Sequence, residues 1–283
     1  MSMESTSEVD SKFSSPLFNA SLLKGIEVLL AFGPDRPDMN LPEIAEVTGL
    51  TKSAAQRFAF TLEAMGYLRK DPRSKRYSLT PKTVEFGYRY LLVNPLIERA
   101  NPYLLELSRI TGETVNCSEP DGVDMVYIAR FATHLHATVH MPVGRRLPMY
   151  CTASGRVLLS LLPTEQARTM LESAPRPRFT PDTVTDIEAL MELLAQAREQ
   201  GYADSYAEFY RGDYNIAVPV IDAHGQPVAA INISAPSARW SKERLIAELV
   251  PHLLETGKQV STGRPRAVDI EPFQRGYGKP PYA

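Results

Sequence analysis

Seven cationic side chains, Lys52, Arg57, Arg69, Lys70, Arg73, Lys75 and Arg76, fall within 25 residues and are offset only by Glu63 and Asp71. The whole chain is not basic: 31 Lys and Arg stand against 33 Asp and Glu, for a net charge of -2. The positive charge is therefore a local footprint of the kind that meets phosphates, not a coat over the surface. Two other groups could do chemistry. The run HLHATVH puts His134, His136 and His140 on one face of a strand, where three imidazoles could hold zinc with an open fourth position. No H-E-x-x-H and no neighbouring carboxylate supports that, so no metal is expected. Cys151 precedes an apolar helix and could be an activated nucleophile, but no histidine with an orienting acid sits at a recognisable spacing. It reads better as a small pocket or core residue. G-x-S-x-G and glycine-rich phosphate loops are absent, so no catalytic residue and no cofactor is expected. A thiol- or metal-dependent hydrolase joined to a DNA-binding domain is the alternative reading.

The elements around the basic cluster explain it. A first helix is marked by Leu22, Leu23, Ile26, Leu29 and Leu30 behind Ser21 as cap, and ends near Gly33-Pro34. A second starts at Pro42 and stops at Thr48-Gly49. A third, capped by Thr51, buries Ala55, Phe58, Ala59, Leu62 and Met65 and turns Ser53, Gln56, Arg57 and Phe60 outward. Two short alternating runs, 67–70 and 76–79, flank the tip Asp71-Pro72-Arg73-Ser74-Lys75. Three helices and a basic hairpin make a winged helix-turn-helix, with the third helix in the major groove of double-stranded DNA. Thr51, Lys52, Ser53, Gln56 and Arg57 are then the base readers, since Arg and Lys suit guanine and Gln suits adenine. Arg73, Lys75 and Arg76 suit phosphates.

Beyond two connecting helices, strands come first and last with helices between, which predicts an antiparallel sheet in an α+β domain. Strands are expected at 114–118, 123–129, 137–141, 202–206, 215–222 and 227–235. Helices are expected at 153–162, 164–172 and 186–200, with one terminal helix over 241–260. Alternation puts Ala230, Asn232 and Ser234 on one sheet face with Asn215 and Ala217, opposite Ile216, Val218, Ile231 and Ile233. The small and polar face has room for a ligand. Cys151-Thr152-Ala153-Ser154-Gly155 opens a helix whose free N–H groups suit the carboxylate of a small organic acid; a plain helix cap is the alternative.

Bulk properties agree with a protein of the reducing cytoplasm. Two cysteines, Cys117 and Cys151, are too few for a disulfide framework, and no apolar run is long enough to span a bilayer, so no membrane partner is expected. The expected divisions are an arm (1–14), a winged helix-turn-helix (15–80), a linker helix (81–98), a larger sensing domain (99–262) and a tail (263–283).

The sequence resembles the IclR-type transcriptional regulators. The likeness rests on LPEIAEVTGLTKSAAQRFAFTLEAMGYL, TGETVNCSEPDGVDMVYIAR, VGRRLPMYCTASGRVLLSLLP and GYADSYAEFYRGDYNIAVPVIDAHGQPVAAINISAP, in that order, and covers about residues 17–262. It implies a winged helix, a linker helix and a C-terminal GAF-like domain that binds an effector and joins copies into homodimers or tetramers. The wording YCTASGRVLL is most similar to members controlling aromatic acid catabolism, and in the family this loop borders the effector pocket. The chain departs from common family wording at Tyr150, where His is frequent, at Asn215, where Cys is frequent, and at Asn232, where Ser is frequent. Tyr150 could stack on an aromatic guest or hydrogen-bond it, and Asn215 and Asn232 could pair with its carboxylate or hydroxyl groups. Glu208 would order its loop or simply be solvated.

Overall fold

The computed structural model describes residues 13–133 and 141–263. The expected arm and tail fall almost wholly outside the described residues, as do His134, His136 and His140 and the strand expected at 137–141, apart from Met141. The chain forms two compact units, the first ending at Val93 and the second beginning at Asn94.

Helices α1 (Ala20–Leu30), α2 (Leu41–Thr48) and α3 (Lys52–Ala64) build the first unit. Each opens where a side chain satisfies backbone N–H groups that the helix itself cannot. For α1 that residue is Asn19, not Ser21: its Oδ1 accepts from Ser21 and Leu22 at 3.0 and 3.1 Å. Asn40 and Glu43 form a reciprocal capping box on α2, and Thr51 caps α3. Gly49, at φ 65°, makes the left-handed turn between α2 and α3. Strands β1 (Asp38–Met39), β2 (Leu68–Lys70) and β3 (Tyr77–Leu79) form an antiparallel sheet in the order β1-β3-β2. The sequence reading missed β1. The unit closes over Val28, Met39, Ile44, Ala55, Ala59, Leu62, Leu68 and Tyr77.

One burial expectation fails here: Met65 is exposed, at the point where α3 ends. Along α1, Val28 enters the core with Leu29 packed against it, and Leu22, Leu23, Ile26 and Leu30 are exposed. Helix α4 (Val84–Val93) likewise displays Val84, Phe86, Tyr88 and Leu92.

The second unit opens with α5 (Pro95–Thr111), the second of the two connecting helices expected from sequence, and Asn94 Oδ1 accepts from Leu96 N–H at 2.9 Å where it begins. Six antiparallel strands follow in sequence order: β4 (Thr114–Asp121), β5 (Asp124–Phe131), β6 (Arg146–Pro148), β7 (Ala203–Tyr206), β8 (Asp213–Ile221) and β9 (Pro227–Pro236). Their spatial order is β6-β5-β4-β9-β8-β7. Helices α6 (Ala153–Leu159), α7 (Thr164–Ser173) and α8 (Ile187–Gln200) bury Leu158, Leu159, Leu171, Leu190 and Leu194 in one core with Ala217 and Ala230. Val218, one residue on, points to the other face, where α10 (Val250–Val260) lies. The two-residue period thus splits the domain into layers. The helix expected over 241–260 is two, α9 (Lys242–Glu248) and α10, because Pro251 has no N–H to continue the first.

Gly155 fixes how closely α6 meets the preceding turn. A Cβ built there would lie 2.2 Å from Met149 Cα and 2.3 Å from its carbonyl oxygen. Both atoms are backbone and cannot swing aside. Gly155→Ala is expected to lower the stability of the second unit by at least about 2 kcal/mol, read as a lower urea midpoint with an unchanged slope. An unchanged midpoint contradicts the close approach.

Candidate DNA interface and candidate effector cavity

Thr51, Lys52, Ser53, Gln56 and Arg57 lie exposed at the start of α3, and Phe60 follows on the same face. Thr51 Oγ1 is occupied as the cap, accepting from Ala54 N–H at 3.2 Å. Its side chain is thereby committed to the helix, while Lys52, Ser53, Gln56 and Arg57 project from it. No ion pair engages Lys52, Arg57, Arg73 or Lys75 among the described residues. They keep their charge available.

The wing tip is held from within. Asp71 Oδ1 accepts from the N–H groups of Arg73 and Ser74 at 2.9 and 2.7 Å and from Ser74 Oγ at 3.0 Å. Those donors, the Ser74 N–H first, hold the Asp71 carboxyl below its usual value. Lys75 takes a left-handed conformation at φ 60°, unusual for a side chain with a Cβ. Arg76 departs from the phosphate-binding role read from sequence. Its guanidinium pairs with Asp38 and Glu43, donates to Glu43 Oε2 at 2.8 Å and reaches the Asp38 carbonyl at 2.9 Å. Two carboxylates from β1 and α2 outcompete solvent for it, so Arg76 ties the wing to the start of α2.

In the second unit one cavity opens between the polar face of the sheet and the loop leading into α6, with about 760 Å³ of empty space when its solvent-open mouth is included. Cys151, Thr152, Ala153, Ser154, Asn215, Asn232 and Ser234 all line it, as the sequence grouped them. Tyr150 does not. The turn Met149–Cys151 sends its ring to the other side, toward Leu159, Met170 and Leu171, and its hydroxyl donates to the Pro177 carbonyl. Tyr150 is a core residue, buried at 3% exposure. The anticipated anion site at the start of α6 is a cap: Thr152 Oγ1 accepts from Gly155 N–H at 3.2 Å and donates to the Pro148 carbonyl at 3.0 Å.

The reading missed several lining residues, among them Glu113, Asn116, Tyr127, Arg130, Tyr210 and Asp213. Asp213 precedes Asn215 by two and follows from the same alternation. Tyr127 and Arg130 are three apart and share the cavity because a bulge inserts Ile128 opposite the Cys117–Ser118 step. Burial pushes the Asp213 carboxyl up, against the lowering effect of donors Ser234 and Asn215; burial likewise pushes Arg130 down and Glu113 up. Glu113 accepts from Trp240 Nε1 at 2.5 Å and from Arg239 at 2.7 Å.

Glu208, another lining residue, forms two 2.6 Å bonds with Arg156, and the two side chains are 6% and 2% exposed. Arg156 also donates to the carbonyls of Tyr150 and Asp204 at 3.0 and 3.3 Å. Val184 N–H donates to Glu208 Oε2 at 3.0 Å. Burial pushes the Cys151 thiol up to about 12 and the Cys117 thiol up to about 12, the reverse of nucleophile activation. Among the described residues no three His, Cys, Asp or Glu side chains are grouped to hold a metal ion, and no helix is long and apolar enough to cross a membrane.

Comparison with known proteins joins the two units. The IclR helix-turn-helix domain matches residues 21–72, and the bacterial transcriptional regulator IclR C-terminal domain matches residues 88–262. The chain belongs to the IclR family of transcriptional regulators. Among IclR relatives, the regulator KdgR of Escherichia coli is 36% identical over 86% of this chain and 91% of its own length. The Pca regulon regulatory protein of Pseudomonas putida is 35% identical over 87% and 84%. A solved structure from Rhodococcus sp. RHA1 superposes with a TM-score of 0.75 at 36% identity, covering 86% of this chain and 97% of that one. An IclR homologue from Microbacterium hydrocarbonoxydans, solved with 4-hydroxybenzoate, superposes at 0.70 with 25% identity, covering 86% and 98%.

Three arginine substitutions separate the assignments in this IclR protein. Arg57→Ala is expected to relax base preference by about 1–3 kcal/mol at one position. Arg73→Ala is expected to weaken all sequences alike and reduce the salt slope by about one unit. Arg76→Ala should leave that slope unchanged and lower the melting temperature of the first unit. Binding isotherms at several salt concentrations and a thermal melt check all three; a flattened slope for Arg76→Ala would return it to the phosphates. The thiols give a separate check: with ionisation near 12, Cys151 and Cys117 should resist iodoacetamide at pH 8 in the native protein and react fully in denaturant. Rapid native labelling of Cys151 would reopen a nucleophilic role.

Proposed function

We propose that this IclR protein is a cytoplasmic homo-oligomer that reads a DNA operator through Lys52, Ser53, Gln56 and Arg57, with Arg73 and Lys75 on phosphates. An organic acid, aromatic in the favoured case, binds the cavity of the second unit and alters operator occupancy. The observation that carries this reading is the pairing, in one chain, of an exposed cationic helix start with a buried cavity lined by hydrogen-bonding side chains. The 4-hydroxybenzoate bound by the Microbacterium homologue supports an aromatic guest. Exposed Leu22, Ile26 and Leu30 on α1, with Val84, Phe86 and Leu92 on α4, support self-association, since apolar surface of this kind normally meets a partner. The effector acts only through unequal affinity for two arrangements of the DNA-binding units.

Selection of bound fragments from sheared DNA of the source genome, at 150 mM salt, tests the first half. The expected outcome is recovery of one or a few promoters carrying a repeated half-site, with occupancy that changes on adding 4-hydroxybenzoate or another acid suggested by the adjacent genes. Diffuse recovery, with and without these acids, would overturn sequence reading by α3.

A further inference from the structure

The floor of the cavity carries a chain of hydrogen bonds with a fixed direction. Asp213 accepts from Ser234 Oγ at 2.8 Å and from Asn215 Nδ2 at 2.8 Å. In its ionised form Asp213 only accepts, so Asn215 turns its amide nitrogen to Asp213 and its oxygen away. Asn215 Oδ1 in turn accepts from Asn232 Nδ2 at 3.0 Å. This uses the nitrogen of Asn232 and leaves its oxygen at the end of the chain. Asn232 is 1% exposed and lines the cavity, and its Oδ1 is buried without a hydrogen-bond partner. The Tyr127 hydroxyl also lies beside this amide, but flipping Asn232 to meet it would set two oxygens face to face across the Asn215–Asn232 contact. A buried acceptor left without a donor destabilises the site that holds it.

We propose that the guest of this cavity is a hydroxylated organic acid whose hydroxyl group donates to Asn232 Oδ1. The inference rests on the reading of the cavity as the effector site and narrows the class of effector. A carboxylate cannot fill this position: it brings no proton and would set its own charge beside an orphaned oxygen and the Asp213 carboxyl. The guest's carboxylate therefore lies elsewhere in the cavity, and Arg130 is the only Lys, Arg or His among the described lining residues. Asn232 acts as a specificity residue, because a site built to receive a hydroxyl rejects the analogue that lacks it.

The test is calorimetric titration of the full chain with matched pairs of acids: 4-hydroxybenzoate and benzoate for an aromatic guest, lactate and propionate for an aliphatic one. In at least one pair the hydroxylated member should bind about 10–100-fold tighter, the range that an unmet buried acceptor accounts for. Asn232→Ala should reduce that ratio to near one, with circular dichroism showing that the fold is kept. Equal affinity within each pair that binds overturns the hydroxyl requirement while leaving the cavity an acid site. A ratio that persists in Asn232→Ala overturns the assignment to Asn232. No binding by any of the four acids at millimolar concentration overturns both this inference and the reading of the cavity beneath it.

Discussion

Arg156 and Glu208 are two charges held almost wholly out of water, and each survives there only because the other is present. Removing one partner from such a pair costs about 3–5 kcal/mol, since the remaining charge is left uncompensated. The pair also organises what surrounds it. Arg156 reaches the carbonyls of Tyr150 and Asp204, and Glu208 receives the N–H of Val184, while Thr180 and Thr183 donate to carbonyls at 207–208. The turn before α6, the edge strand β7 and the segment around 180–184 are thereby fastened at one point. That point adds to the packing of α6 on Ala217 and Ala230 in setting the distance between the sheet and the cavity wall formed by Cys151 to Ser154.

Against this fixed wall the sheet supplies the variable chemistry. Small side chains at Ala217 and Ala230 admit the helical layer, and the polar set Asn116, Asp213, Asn215, Asn232 and Ser234 fills the remainder of the same region. Polarity is affordable there because most of the groups satisfy one another. Family membership fixes the frame, whereas the chemistry of the cavity is set by these few side chains. Burial of Asp213 matters for the same reason: its elevated carboxyl is a local electrostatic fact of this pocket, not of the fold.

Much of this organisation is legible in the sequence. Caps and punctuation such as Thr51 and Gly49 are local signals, and period-two alternation alone gives Asn215, Asn232 and Ser234 a common face. What escaped is non-local or conformational. Arg76 meets partners 38 and 33 residues away, and β1 is two residues long, too short to carry a period. Tyr150 was placed with its neighbours, but a single tight turn reverses its side chain, and no spacing rule reports that. The Ile128 bulge shifts the alternation midway along β5, so Tyr127 and Arg130 share a cavity that a strict period would deny one of them. The α1 stripe is legible as apolar but its exposure is not, because a pattern states which face wants cover and not where the cover comes from.

The ordered wing has an entropic consequence. Fixing a backbone residue costs about 1–2 kcal/mol of conformational freedom, and a slack basic loop would surrender that freedom on meeting a duplex. In this chain Asp71 holds the loop through Ser74 and Arg73, and Arg76 anchors its far strand to β1 and α2. The ordering is completed when the first unit folds. Arg73 and Lys75 are then presented on a loop that is already ordered, and the Arg76 guanidinium is part of what orders it.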